Sequence, residues 1–225
     1  MNRCSLCGRR MLISNGEFGL SCLKKSCDLL NLDGIKNLKG EKTTTFDEYS
    51  AWEGGSGWES VSKTYRRSKK ILPMEEITEK EIERVRKNVT ENIVNLAKAY
   101  PDTQFLLFYT PYSALYWESV YRKGWLEKQI EMEKIATELM LECDNIKLYS
   151  FCQETDITSD INNYRDKEHY VAEINDLLMK WIAQDRGRVT KENYLFLTEW
   201  EREYYMNYDY DELYQGHEEY MKPKK

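Results

Sequence analysis

Gln104-Phe105-Leu106-Leu107-Phe108-Tyr109, set between Pro101 and Pro111, is the longest dense apolar run in the chain. A continuous apolar run this short, bounded by turn residues, predicts a buried strand of the kind covered on both faces. Upstream, Thr78-Glu79-Lys80-Glu81 is a capping box, in which the threonine hydroxyl and the glutamate three residues on satisfy each other's backbone donors. Ile82, Val85, Val89, Ile93 and Leu96 follow at helical spacing to about Tyr100. Downstream, one long helix is predicted over 114–143, with Trp125, Ile130, Ile135, Leu139 and Met140 on its apolar face. A second strand is predicted over 146–151 and a helix over 170–183, carrying Ile174, Leu177, Leu178 and Trp181. Thr190 is expected to cap a last helix containing Leu195, Leu197 and Trp200.

Helix, strand, helix, strand, helix is the rhythm of an α/β layer with parallel strands. Ligands of such sheets bind beyond the carboxyl ends of the strands. Thr110-Pro111-Tyr112-Ser113, which leaves the first strand, and the loop holding Asp166 and His169, which leaves the second, are therefore expected to face one crevice.

Composition narrows the function classes. Of 225 residues, 41% are hydrophobic and 32% charged, so a sizeable core is expected rather than general disorder. A net charge of −6 argues against nucleic-acid binding by the whole protein but permits a local basic patch. Seventeen tyrosines and six tryptophans against four prolines favour a helix-containing fold with aromatic-lined surfaces. No run approaches the roughly 18 apolar residues of a membrane span. Arg9, Arg10, Asn15 and Glu17 interrupt the N-terminus, so no secretory signal or targeting address is expected there and the chain reads as cytoplasmic. Four units are expected: a zinc-ribbon-like segment at 1–30, an irregular segment at 31–75, an α/β portion at 76–214 and a flexible polar tail at 215–225 containing a solvated His217.

Asp166-Lys167-Glu168-His169 just precedes a helix. An aspartate at this spacing can accept the Nδ1 hydrogen of the histidine and aim Nε2 at a substrate, which is the orienting half of a Ser-His-Asp system. An aspartate that merely caps the helix beside an exposed histidine has the same string. The surroundings add to this reading. Phe105 through Trp117, Asn145 through Phe151, Asn163 through Tyr170 and Asn207-Tyr208-Asp209-Tyr210 together resemble the C-terminal half of an SGNH/GDSL-type hydrolase-like family. This is the bacterial group associated with cell-surface or exopolysaccharide modification, and the resemblance covers roughly residues 31–214. It implies a flavodoxin-like α/β/α sandwich, ester hydrolysis or acyl transfer on cell-envelope carbohydrate, an extracytoplasmic setting, and Asp166 and His169 as its acid and base.

The family's nucleophile belongs to a Gly-x-Ser block at the end of a first strand, and the chain has no such block. Ser56, in Gly55-Ser56-Gly57, follows no apolar strand and reads as a loop serine, while Ser113 follows a strand where the family has no nucleophile. Activity near background is therefore expected, from a truncated or degenerate homologue. A half-domain lacking its first strand would expose a sheet edge open to self-association or a partner strand. Tyr112, Ser113, Tyr116 and Trp117 are the candidate substrate contacts, the rings forming an aromatic platform suited to sugar faces.

The cysteines make a separate argument. Cys4-x-x-Cys7-Gly8, followed by Cys22 and Cys27, places four thiolates in two close pairs, which suits tetrahedral Zn²⁺. With Met11, Gly16 and Phe18 the string resembles the four-cysteine zinc fingers at the ends of bacterial type I topoisomerases. Arg9, Arg10, Lys24 and Lys25 would give that module a basic face for nucleic acid, and a zinc-ribbon binding protein is the alternative function. Cys143 and Cys152 flank the second strand and read as ordinary semi-buried thiols.

Overall fold

The computed structural model of the protein describes residues 54–221, so Cys4, Cys7, Cys22 and Cys27 and the zinc expectation attached to them lie outside the described residues. The fold is mixed helix and strand. After a short helix α1 (Gly57–Val61), α2 (Glu79–Val89) continues through one π-helical turn (Thr90–Val94) into α3 (Asn95–Ala99). Then come β1 (Phe105–Phe108), α4 (Ala114–Arg122), α5 (Leu126–Met140), β2 (Ile146–Tyr149), α6 (Thr155–Thr158), α7 (Ala172–Ala183), β3 (Arg188–Val189) and α8 (Tyr194–Met206). The capping box closes α2 as its residues require: Thr78 N donates to Glu81 Oε2 at 2.8 Å and Glu81 N to Thr78 Oγ1 at 3.4 Å. Bonds from Thr78, reinforced by Lys128, hold the Glu81 carboxyl down to about 2.

β1 and β2 pair in parallel, with Phe105 opposite Ile146 and Phe108 opposite Tyr149. Alternate residues of β1 enter different cores. Phe105 and Leu107 meet Val89, Ala97, Met140 and Leu148, whereas Leu106 and Phe108 meet Tyr149, Ile174 and Leu178. A strand covered on both faces must be apolar at both parities, which is why this run is continuous rather than alternating.

Three expectations are corrected. The sheet is mixed, because β3 joins β2 antiparallel through Leu148 opposite Val189 and Tyr149 opposite Arg188. Two residues carry no detectable period, and Gly187, at φ +79°, runs so close to the β2 exit that an added β-carbon would lie 2.7 Å from the Ser150 carbonyl oxygen. The long helix expected over 114–143 is two helices. Gly124 sits between them at φ +72°, and the passing segment 72–75 fills the break, with Leu72 N donating to Arg122 O and Glu75 N to Gly124 O at 2.9 and 2.7 Å. Thr190 is not the cap of the last helix; Asn193 is its N-cap residue, and Asn193 Oδ1 instead accepts from Thr190 N at 2.8 Å.

The described residues of the segments expected to be irregular or flexible contribute to the core. Trp58, Val61 and Tyr65 pack with Leu115, Ile161, Tyr164 and Tyr214. Trp58 stacks on His217 and Tyr220 at 4.9 and 5.6 Å, which fastens residues 217–220. Much of the tyrosine content is interior: Tyr164, Tyr205 and Tyr214 are fully buried, and each hydroxyl donates a hydrogen bond, to Pro111 O, Thr158 Oγ1 and Glu118 Oε2. A buried phenol needs such a partner. No helix among the described residues is long and apolar enough to cross a membrane.

Candidate functional site

The loop between α6 and α7 folds back on itself through an antiparallel bridge between Tyr164 and Tyr170, closed by Arg165 N donating to His169 O at 2.8 Å. Asp166 and His169 lie at its tip. Asp166 Oδ1 accepts from the backbone N–H groups of Glu168 and His169 at 2.7 and 2.8 Å, and Oδ2 lies 2.8 Å from His169 Nδ1. Burial opposes ionisation of Asp166, but the bonds from His169 and the Glu168 amide outweigh it and hold the carboxyl below its usual range. An ionised Asp166 fixes the imidazole tautomer with hydrogen on Nδ1 and the basic lone pair on Nε2.

The loops leaving β1 and β2 meet, as the parallel pairing requires. Tyr164 Oη donates to Pro111 O at 2.7 Å and Ser113 Oγ to Lys167 O at 2.7 Å. They pack against each other instead of lining an open crevice. Ser113 is fully buried and also accepts from Tyr116 N at 3.3 Å as the α4 N-cap, so its hydroxyl is a structural tie. The expected aromatic platform is largely interior. Tyr112 and Trp117 are 4% and 3% exposed, packed with Tyr205 and Tyr210, and offer no ring face to a sugar. Only Tyr116 is half-exposed; it stacks on Tyr112 at 4.1 Å, with Lys167 Nζ 4.8 Å from its ring centre.

The glycine-serine segment joins this loop through contacts that sequence spacing does not show. Gly57 N donates to Tyr164 O at 2.8 Å, Ser60 Oγ to Arg165 O at 2.8 Å and Arg165 Nη1 to Gly54 O at 2.7 Å. These three bonds fasten residues 54–60 onto the bridged loop that presents Asp166 and His169. Gly57 is required there, with φ +82° and a β-carbon position only 2.8 Å from Asn162 Oδ1. Ser56, the N-cap residue of α1, is exposed and its side chain makes no bond to the helix. No local pattern announced this, because the two segments are more than a hundred residues apart.

A second polar feature lies at the carboxyl end of the parallel pair. Glu133 of α5 and Glu201 of α8 line a cavity of about 20 Å³ with Tyr109, Ser150 and Cys152. Burial pushes Glu133 up to about 7, against the bond donated by Gln129, and burial together with the Glu133 charge pushes Glu201 well above the carboxylate range. Burial also raises the Cys152 thiol. Carboxyls raised on folding bind protons more tightly in the native state, so their stabilising contribution is fully present below the unfolded value and is lost as pH rises through the folded one. Asp166, Glu81 and Asp211 are shifted the other way, so their stabilising contribution is constant across neutral pH and is lost only at acid pH. Stability to urea is therefore expected to fall between pH 5 and 8, by at most about 1.4 kcal/mol per pH unit for each carboxyl. The double variant Glu133→Gln/Glu201→Gln should flatten that slope; a wild-type profile already flat would contradict it.

Among the described residues no group of three or more His, Cys, Asp and Glu is arranged to hold a metal. No protein-family model, curated protein or solved structure matches the chain.

Proposed function

We propose that Asp166 and His169 form the base half of an ester-cleaving or acyl-transferring site of the SGNH kind, acting on acylated cell-envelope carbohydrate, and, against the expectation of background activity for want of a nucleophile block, that Ser56 is the hydroxyl they serve. The observation that most supports this is the 2.8 Å bond between His169 Nδ1 and Asp166 Oδ2, on a loop leaving the carboxyl end of two parallel strands. The fastening of residues 54–60 to that loop supports Ser56 over Ser113, whose hydroxyl is buried and committed. Helices packed against both faces of the sheet are consistent with a small α/β/α sandwich, and the antiparallel β3 departs from the family's pattern. The carbohydrate substrate rests on the resemblance alone.

In this reading Ser56 Oγ attacks the ester carbonyl while His169 Nε2 takes its proton, and the alcohol leaves with that proton as the carbonyl re-forms. Water or an acceptor hydroxyl then attacks the acyl-serine, giving its proton to Nε2, and Ser56 departs by taking it back. Asp166 stays ionised and balances the imidazolium.

A fluorophosphonate probe tests this without knowledge of the substrate. Labelling is expected at Ser56, absent in Ser56→Ala and slowed about 10³-fold or more in His169→Ala. Both side chains reach the surface, so the variants should fold. Absence of labelling, or labelling indifferent to Ser56→Ala, rejects the reading.

The cysteine spacing supports a second reading for residues 1–30, a zinc ribbon held by Cys4, Cys7, Cys22 and Cys27 that contacts nucleic acid or a protein partner. Native mass spectrometry of the full chain against Cys4→Ser decides it: no bound zinc ends that reading.

A further inference from the structure

Far from the Asp166–His169 loop in sequence, the second half of α8 and the turn after it form an open groove of about 760 Å³. Three rings spaced four residues apart line it: Trp200 and Tyr204 on α8, and Tyr208 just beyond its end. Trp200 and Tyr204 stack nearly parallel, 4.8 Å between centres and 12° between planes, and Tyr204 meets Tyr208 edge-on at 5.4 Å. Tyr208 is fixed from below, its hydroxyl donating to Ser159 Oγ at 3.0 Å. The remaining chemistry is anionic. Glu203, Asp209 and Glu212 line the groove, and among the described residues no lysine, arginine or histidine does.

Those carboxylates are not equivalent. Asp209 Oδ1 accepts from the Asp211 and Glu212 amides at 3.0 Å each, which shapes the turn. Neither Glu203 nor Glu212 forms an ion pair with any described residue. The nearby guanidinium groups are committed elsewhere: Arg202 to Glu127, Glu131 and Glu199, and Arg67 to Glu118 and Asp211. An aromatic wall with carboxylates that no described residue pairs repels anions and attracts a cation whose apolar shell can lie on the rings. A bare metal ion would make no use of the rings, and a neutral sugar would use the carboxylates only as hydrogen-bond acceptors, leaving their net charge unbalanced.

We propose that the groove walled by Trp200, Tyr204 and Tyr208 and lined by Glu203 and Glu212 is a binding site for a small organic ammonium ion, with the rings taking its alkyl shell and the carboxylates its charge. Its location does not depend on the ester-cleaving reading, and its test does not measure activity.

Choline is the probe and 3,3-dimethyl-1-butanol, its uncharged carbon counterpart, the control, with binding to the full chain followed by saturation-transfer NMR and titration calorimetry. Choline should bind, and the neutral alcohol should bind at least tenfold more weakly. Trp200→Ala and Glu203→Gln/Glu212→Gln should each weaken choline about tenfold while circular dichroism stays unchanged. Four results would overturn the proposal: equal binding of alcohol and choline, binding unaffected by Trp200→Ala, no binding at 10 mM on the order of the weakest useful affinity, or binding that appears only after Lys222–Lys225 are removed. The last would make the chain's own lysines the occupant.

Discussion

Glu118→Ala should cost about 3–5 kcal/mol of folding stability, a large share of what a domain of this size possesses. Glu118 is in the middle of α4 and has no exposed surface. Its Oε2 accepts from the hydroxyls of Tyr65 and Tyr214 at 2.8 and 2.7 Å, and its Oε1 from the Nε atoms of Arg67 and Arg122 at 2.5 and 2.8 Å. Arg67 and Arg122 side chains are themselves only 9% and 12% exposed, and Arg67 reaches out to Asp211 at the surface. One carboxylate therefore joins α4, the segment after α1 and the turn containing Tyr214. Removing it takes the shared acceptor from two buried phenols and from the Nε atoms of two guanidinium groups, which keep only their outer bonds to Asp211 and Ser68 O, and that desolvation, rather than the lost attraction, is the larger part of the expected loss. Glu118→Gln keeps the shape and one acceptor oxygen, so it should lose less. Urea denaturation of the three proteins measures both differences, and a Glu118→Ala midpoint within error of wild type would show that the cluster is not a structural node.

Gly124→Ala is expected to destabilise by about 3 kcal/mol or more. The left-handed conformation at φ +72° costs an alanine roughly 1–2 kcal/mol. The new β-carbon would also sit 2.0 Å from Pro73 O, a backbone atom that can yield only by moving the whole 72–75 segment. That movement endangers the bonds from Leu72 N to Arg122 O and from Glu75 N to Gly124 O, each worth about 1 kcal/mol. Gly216 supplies the control, because it has φ +77° and no atom within 4 Å of the added carbon. Gly216→Ala should show the conformational cost alone, so the difference between the two variants isolates the collision. Equal losses would mean that the segment over the helix break relaxes freely.

Both predictions concern features that no local pattern exposes, and the same division runs through the candidate site. The orienting pair was legible because Asp166 and His169 are three residues apart, so their geometry is set by one turn of backbone and two amide bonds to the same carboxylate. The α2 capping box was legible for the same reason. The attachment of residues 54–60 to their loop was not, since it depends on Gly57 and Ser60 bonding to carbonyls of residues 164 and 165. Tyr112 and Trp117 misled because an aromatic cluster after a strand has the same composition whether it coats a binding surface or fills a core. Glu133 and Glu201 looked like ordinary helix glutamates, and only the packing of α8 along α5 brings both to one cavity.

By itself the sequence determined what depends on neighbours along the chain: the two apolar runs that become β1 and β2, the helices with a clear apolar period, and the turn that binds the histidine to its aspartate. Tertiary structure alone decided the antiparallel third strand, the break at Gly124, the fastening of residues 54–60 to the histidine loop, and which aromatic rings are core and which line the groove on α8. The physical reason is range. Apolar periodicity and capping act over a few residues, whereas burial of a carboxylate, an indole or a β-carbon position is settled by segments that meet only after the chain has folded.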